Sequence, residues 1–201
     1  HPQVTVLADE IYSRLLYDGE EHVSILEYES IRERAILLDG WSKTYAMTGW
    51  RLGYGVWPAS LIREAERLQI NSVSCTNAVA QMAGVEALRG PQDAVDRMRA
   101  AFDERRAVIV EELNAIPGVS CRTPKGAFYA FPDLTAFLGR KVAGRVASTT
   151  SELATIILEE ANVAIVPGEA FGAPGYARLS FALGDDDLGE GLTRIGELLT
   201  G

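Results

Sequence analysis

The sequence predicts an α/β fold, in which residues 1–90 form part of a larger domain built on a mostly parallel sheet and residues 91–201 form a smaller α+β domain. Three observations predict it. Short, continuous apolar runs at residues 4–8 (VTVLA) and 35–38 (AILL) suit strands covered on both faces. Segments with helical spacing of apolar residues follow a third strand-like run at residues 51–57. Beyond about Gly90 the pattern changes to one long helix, several short strands and a closing helix, so a second core is expected there.

Each element has its own signal. Between the first two strands the chain is polar, with Asp18-Gly19 as a turn and a short helix expected over residues 30–34. Residues 51–57 (RLGYGVW) read as a third strand weakened by two glycines. Pro58-Ala59-Ser60 then opens a helix through Leu61, Ala65 and Leu68. Residues 71–77 (NSVSCTN) read as a loop, followed by a helix over 78–88 that Arg89-Gly90-Pro91 ends. Val95, Met98, Phe102, Ile109, Leu113 and Ile116 mark one face of a long helix, and Pro117-Gly118 stops it. Residues 119–122 and 127–131 read as a strand pair joined across Pro124-Lys125-Gly126, and residues 138–150 as a basic, small-residue loop. Thr149 and Glu152 have capping-box spacing for a helix ending near Ala161. Two further strands are expected at 163–166 and 177–182, and an amphipathic helix at 185–199. No internal repeat is present.

Composition narrows the function classes. Hydrophobic residues make up 47% of the 201 and charged residues 23%, values of a globular protein. No apolar run is long enough to span a bilayer, so no membrane partner is expected. The net charge is −9 with the acids dispersed, which argues against a nucleic-acid-binding stripe. Cys75 and Cys121 lack metal-ligand spacing and read as reduced thiols, which suits a cytoplasmic protein. His1-Pro2-Gln3 leads at once into a strand-like run without a signal-peptide pattern, and the chain reads as a fragment of something longer.

Ligands of parallel α/β sheets collect at the carboxyl ends of the strands. Asp9 follows the first predicted strand, and Lys43 follows the second after Asp39-Gly40-Trp41-Ser42. If those strands are parallel, a carboxylate and an amine share one sheet edge. Taken singly, Asp9 reads as a helix cap and Lys43 as a solvated lysine.

The surrounding residues change that balance. Asp9-Glu10-Ile11-Tyr12, followed by Ser42-Lys43-Thr44-Tyr45-Ala46-Met47-Thr48-Gly49-Trp50-Arg51-Leu52-Gly53-Tyr54, resembles the signature of class I aminotransferases of fold type I, in the subgroup of many bacterial aspartate aminotransferases. Pro124-Lys125-Gly126-Ala127-Phe128-Tyr129, Val166-Pro167-Gly168 and Arg178-Leu179-Ser180-Phe181-Ala182 resemble further stretches of that family in its order, so the likeness runs from end to end of the chain. It implies a C-terminal half, with pyridoxal 5′-phosphate as cofactor. Lys43 would carry the cofactor covalently and move a proton at the substrate Cα, which requires an amine able to lose its proton near neutral pH. By the same likeness Asp9 would pair with the pyridine nitrogen, and Tyr12 would donate to the ring's 3-oxygen. Arg51 would hold the phosphate and Arg178 the substrate α-carboxylate, each through a guanidinium fork. Read without the family, Arg51 is a surface arginine on a strand and Arg178 a structural ion pair.

Weaker likenesses place Ser42 near the phosphate, Tyr45 and Phe128 at the substrate pocket, and residues 72–77 near a dimer interface. Gly40 stands where relatives often have a hydroxyl, which puts that phosphate contact in doubt. The resemblance implies transfer of an amino group between an amino acid and a 2-oxo acid, with an aspartate-like substrate as default and a homodimer as the assembly. A lyase or decarboxylase of the same fold is the alternative enzyme. An aminotransferase-like effector domain of a regulator is the non-catalytic alternative. The 201 residues alone are expected to be inactive, because the family's other cofactor contacts lie in its N-terminal half.

Overall fold

The computed structural model describes residues 1–201, which divide into two units, His1–Met98 and Arg99–Gly201. In the first, β1 (Val6–Asp9), β2 (Ala35–Gly40) and β3 (Gly53–Val56) form one sheet in that order. β1 and β2 are parallel, with Val6 beside Ala35 and Asp9 beside Leu38. Ala35, Ile36 and Leu37 are buried in the central strand, as an apolar run requires, whereas Leu7 on the β1 edge is 57% exposed.

β3 departs from the parallel expectation and runs antiparallel to β2, with Gly40 beside Gly53 and Leu37 beside Val56. The intervening residues hold only turns and the 3-10 helix Thr48–Trp50, and a parallel return needs a longer crossover. The strand is also shorter than expected, since Arg51 and Leu52 lie outside it. Two glycines let the strands approach closely. A Cβ on Gly40 would lie 2.8 Å from the Leu52 carbonyl oxygen and 2.9 Å from Gly53 Cα.

The β1–β2 connection turns at Asp18 and Gly19, both at positive φ, and buries Leu15 and Tyr17. It continues through the 3-10 helices Ile25–Glu27 and Glu29–Arg34, the first held by a Ser24/Glu27 capping box. α1 (Ile62–Ser72) takes in the first two residues of the expected 71–77 loop and buries no side chain. α2 (Ala78–Arg89) starts at Asn77, whose side-chain oxygen accepts the Val79 and Ala80 amides. α3 (Asp93–Ala115) begins in the first unit and continues in the second.

The second unit has its own core. Phe102, Ile109 and Leu113 of α3 are buried on the face that the apolar spacing predicts. β4 (Tyr129–Ala130), the hairpin β5 (Lys141–Val142) and β6 (Arg145–Val146), α4 (Thr150–Ala161), β7 (Val166–Pro167), β8 (Ala177–Ser180) and α5 (Asp185–Thr200) follow. β4, β8 and β7 form an antiparallel sheet with β8 in the centre.

Three expectations are corrected here. The strand pair of 119–122 with 127–131 does not form, and residues 119–122 reach the sheet only through a Ser120–Asp133 bridge. The reason is local: the Asn114 side chain occupies both backbone groups of Cys121, accepting from its N–H at 2.8 Å and donating to its carbonyl at 2.9 Å. Residues 138–150 are not a plain loop, because Ala143 and Gly144 at φ 49° and 76° turn the β5–β6 hairpin. The strand expected over 163–166 is reduced to Val166–Pro167. The Thr149 cap is present, although the Glu152 carboxylate returns to the Ser148 amide rather than to the cap residue.

Candidate active site

The parallel register of β1 and β2 fixes where the candidate residues emerge. Asp9 is the last residue of β1, beside Leu38, and the Glu10 amide continues the ladder with a 2.8 Å bond to the Leu38 carbonyl. The Asp9 carboxylate is exposed and accepts the Ile11 amide at 3.2 Å. No α-helix follows it, so this contact closes a turn and does not cap a helix. The same turn carries Tyr12.

Lys43 lies on the turn that leaves the same end of β2. Its ammonium nitrogen sits 5.9 Å from the centroid of the Tyr12 ring, a cation–π distance. Trp41 fixes this turn. Its amide donates to Leu52 at 3.2 Å, its carbonyl accepts the Tyr45 and Met47 amides, and its indole donates to the Gly84 carbonyl at 3.0 Å. Gly84 makes room for the ring, since a Cβ there would lie 3.2 Å from Trp41. Neighbouring Thr44 is buried. Tryptophan at position 41 carried no signal in the sequence, because its role depends on a helix 43 residues away.

Arg51 is on no strand. It ends the 3-10 helix Thr48–Trp50 at φ 54°, a left-handed conformation unfavourable for a side chain with a Cβ, and donates to the Thr48 carbonyl at 2.8 Å. It lines a cavity of about 920 Å³ together with Cys75, Thr76 and the start of α2. Tyr45, expected near a substrate, shares the Gln92 amide oxygen with Arg14, at 3.3 and 2.7 Å. Phe128 packs between Phe102 and Tyr129 at centroid distances of 5.4 and 4.9 Å.

Glu10 is a further anchor that sequence reasoning passed over. One carboxylate oxygen meets His22 at 2.7 Å, and the other accepts the Ile25 amide at 2.7 Å and the Ser24 hydroxyl at 3.2 Å. Burial alone would push this carboxyl up, but its bonds to His22, Ile25 and Ser24 outweigh burial and hold it below the usual carboxylate value. It ties the Ser24 segment to the residue after Asp9.

Asp9, Tyr12 and Lys43 are therefore brought to one sheet edge, and Arg51 follows on the next loop of the same unit. Arg178 belongs to the second unit. It forms no ion pair, contrary to its reading as a structural salt bridge. Its guanidinium carbon lies 4.4 Å from the Tyr129 ring centroid and 4.8 Å from that of Phe171.

Residues 1–195 match the sequence profile described as Aminotransferase class I and II. The chain belongs to that family. Among curated aminotransferases, the aspartate aminotransferase of Streptomyces avermitilis is 50% identical over 196 residues, covering 97% of this chain and 48% of that protein. The aspartate/prephenate aminotransferase of Nitrosomonas europaea is 40% identical over 203 residues, covering 100% of this chain and 51% of that protein. The chain thus spans about half the length of the curated relatives it matches. The crystal structure of a Rhizobium meliloti aspartate aminotransferase superposes with a TM-score of 0.94 at 39% identity, over all of this chain and 50% of that one. An aromatic aminotransferase from Pyrococcus horikoshii gives 0.88 at 35% identity, over 98% of this chain and 51% of that one. The fold is that of fold-type-I, pyridoxal-phosphate-dependent aminotransferases, the α/β sheet being part of their large domain.

Proposed function

We propose that this chain supplies the cofactor-holding lysine of a pyridoxal-phosphate-dependent aminotransferase, and that the whole protein transfers an amino group between an amino acid and a 2-oxo acid. An aspartate-like amino acid is the default substrate, supported by the relatives named aspartate aminotransferase. One observation carries the reading: Asp9 and Lys43 leave the same end of two adjacent parallel strands, with the Lys43 amine over Tyr12.

The donor set fits the cofactor group by group. An amine can bind an aldehyde, a carboxylate can pair with a protonated ring nitrogen, a phenol can donate to a ring oxygen, and a guanidinium can hold a phosphate. When bound, the cofactor supplies an electron-withdrawing ring that makes a substrate Cα proton acidic. Lys43 would hold it and, as a free amine, carry a proton to and from Cα. Asp9 would keep the ring nitrogen protonated, Tyr12 would donate to the 3-oxygen, and Arg51 would bind phosphate. Arg178 would bind the α-carboxylate shared by all the amino acids.

We place the domain boundary near Gly90, with residues 1–90 in the large domain and 91–201 in the small one. A homodimer is the assembly the family likeness implies, and Leu68 and Ile70 of α1, Val73 just after it, and Val79 and Met82 of α2 are all more than half exposed. A cytoplasmic location is supported by two free cysteines. No helix is long and apolar enough to cross a membrane.

Borohydride reduction of the full-length, cofactor-loaded protein followed by peptide mapping tests the assignment, with the pyridoxyl label expected on Lys43. A label on Lys125 or Lys141 would overturn it. Product analysis with aspartate and 2-oxoglutarate separates transamination from lyase chemistry, since only the former yields glutamate.

A further inference from the structure

Alternation along β8 buries Ala177 and Leu179 and turns Arg178 and Ser180 to the opposite face. On that face Tyr129 is paired with Ser180, so its ring reaches Arg178 along the diagonal between neighbouring strands. Phe171 approaches from the β7 side. It ends the 3-10 helix Gly168–Phe171, which follows β7 directly, and β7 pairs Val166 with Arg178.

Phe171 is held where it is. The Gly168 amide donates to the Tyr176 carbonyl at 2.7 Å, and a Cβ at Gly168 would overlap the carbonyls of Ala173 and Tyr176. The Glu169 carboxylate accepts the Thr150 amide at 2.7 Å, fastening the turn to the start of α4. Phe131 packs edge-on against Phe171 at 5.9 Å and stacks on Tyr176 at 5.4 Å. The rings are thus set by contacts other than those to Arg178.

A guanidinium has poorly hydrated faces that stack on aromatic rings, and an edge of N–H donors that seeks planar acceptors. Here the guanidinium carbon lies within 4.8 Å of two ring centroids, and the group meets no protein carboxylate. Ordering the fork before ligand arrives removes part of the entropy that binding would otherwise lose.

We propose that Tyr129 and Phe171 are positioning residues that hold Arg178 by its guanidinium faces, so that only its N–H edge is offered to a substrate carboxylate. The proposal rests on the reading of Arg178 as the carboxylate-binding residue. The test uses the full-length, cofactor-loaded protein, with succinate as a non-reacting probe in titration calorimetry and steady-state kinetics for one amino acid and one 2-oxo acid. Phe171→Leu should raise the succinate Kd and both KM values roughly 2- to 30-fold, the range of a cation–π contact, while kcat stays within about 2-fold. Phe171→Trp should restore binding to within about 2-fold of wild type, which a purely space-filling role would not predict. Tyr129→Leu, made separately, should weaken succinate binding in the same direction. Wild-type binding by Phe171→Leu, failure of Phe171→Trp to restore it, or a fall in kcat at unchanged KM would overturn the proposal. Arg178→Lys separates the two levels. If it leaves succinate binding unchanged, the carboxylate-binding reading itself is wrong. If it weakens binding and Phe171→Leu does not, only the aromatic clamp is wrong.

Discussion

Replacing Gly40 with alanine strikes the point where the Lys43 turn leaves the sheet. The new Cβ would lie 2.8 Å from the Leu52 carbonyl oxygen and 2.9 Å from Gly53 Cα, against 3.4 Å or more for an ordinary contact. Both obstacles are backbone atoms of the segment that enters β3, so no rotamer change relieves them. The strands must separate by about 0.5 Å, and the Trp41 amide bond to Leu52, already 3.2 Å long, stretches with them. Overpacking of this kind costs about 1–3 kcal/mol, and a weakened hydrogen bond costs about 1 kcal/mol more. The smaller freedom of alanine in the unfolded chain returns about 0.4–1 kcal/mol. The net expectation is a loss of about 1–3.6 kcal/mol in the first unit. Trp41, Trp50 and Trp57 are the only tryptophans in the chain and all lie in that unit. Tryptophan variants that silence any residues elsewhere in the full-length protein make fluorescence-monitored urea unfolding report on this unit. Gly49→Ala is the control, since nothing lies within 4 Å of its would-be Cβ. A Gly40→Ala transition within about 0.5 kcal/mol of the control would refute the close-approach reasoning.

Other expectations follow from the same geometry. Asp9→Ala in the full-length protein should lower kcat by about two to three orders of magnitude, the scale of losing one preorganised electrostatic contact, whereas near-normal turnover would return Asp9 to a turn-closing role. Arg178→Lys should reduce kcat/KM roughly 10- to 100-fold for every substrate alike, and a loss confined to acidic substrates would make it a side-chain reader instead. Glu10 titrates below its usual value in the folded chain, so its contribution is complete above the unfolded carboxyl value and is lost as pH falls through the folded one. Thermal unfolding of wild type should therefore fall more steeply than that of Glu10→Gln as pH drops through and below the ordinary carboxylate range, and parallel curves would remove Glu10 from the acid response.

What the sequence disclosed follows from the range of the forces involved. The α3 face, the Thr149 cap and the Asp18-Gly19 turn depend on residues a few positions apart, and their spacing is visible in one dimension. The placement of Asp9 and Lys43 at one sheet edge was legible because strand ends can be read from apolar runs. The direction of β3 was not, because it depends on how the 41–52 connection folds back. The absent 119–122 strand depends on Asn114, seven residues away on a helix, taking hydrogen bonds that a strand would otherwise use. The settings of Trp41 and Arg178 were hidden for the same reason: Gly84, Tyr129 and Phe171 meet them only through the fold.

The two units hold their candidate cations by different means, and this predicts where ligand binding and stability are coupled. The second unit has its own apolar core, with Leu153, Ile157, Ala177, Phe181 and Leu188 all buried. In the first unit, within a chain that spans about half the length of its relatives, α1 buries no residue and every residue of β3 is exposed. Within this chain the Lys43 turn is held by the hydrogen bonds of Trp41 and of the β1–β2–β3 ladder. A ligand that engages Asp9, Tyr12 and Lys43 at once bridges β1 and β2, and it binds only when both are in place. Such a ligand stabilises the folded state by mass action, by about 2.7 kcal/mol at a hundredfold excess over its Kd. Removing the proposed cofactor from the full-length protein should accordingly speed hydrogen exchange in the amides of β1, β2 and the Lys43 turn, and leave those of α4 and β8 nearly unchanged. Equal acceleration in both groups would mean that the sheet edge is not where the ligand's binding energy is felt.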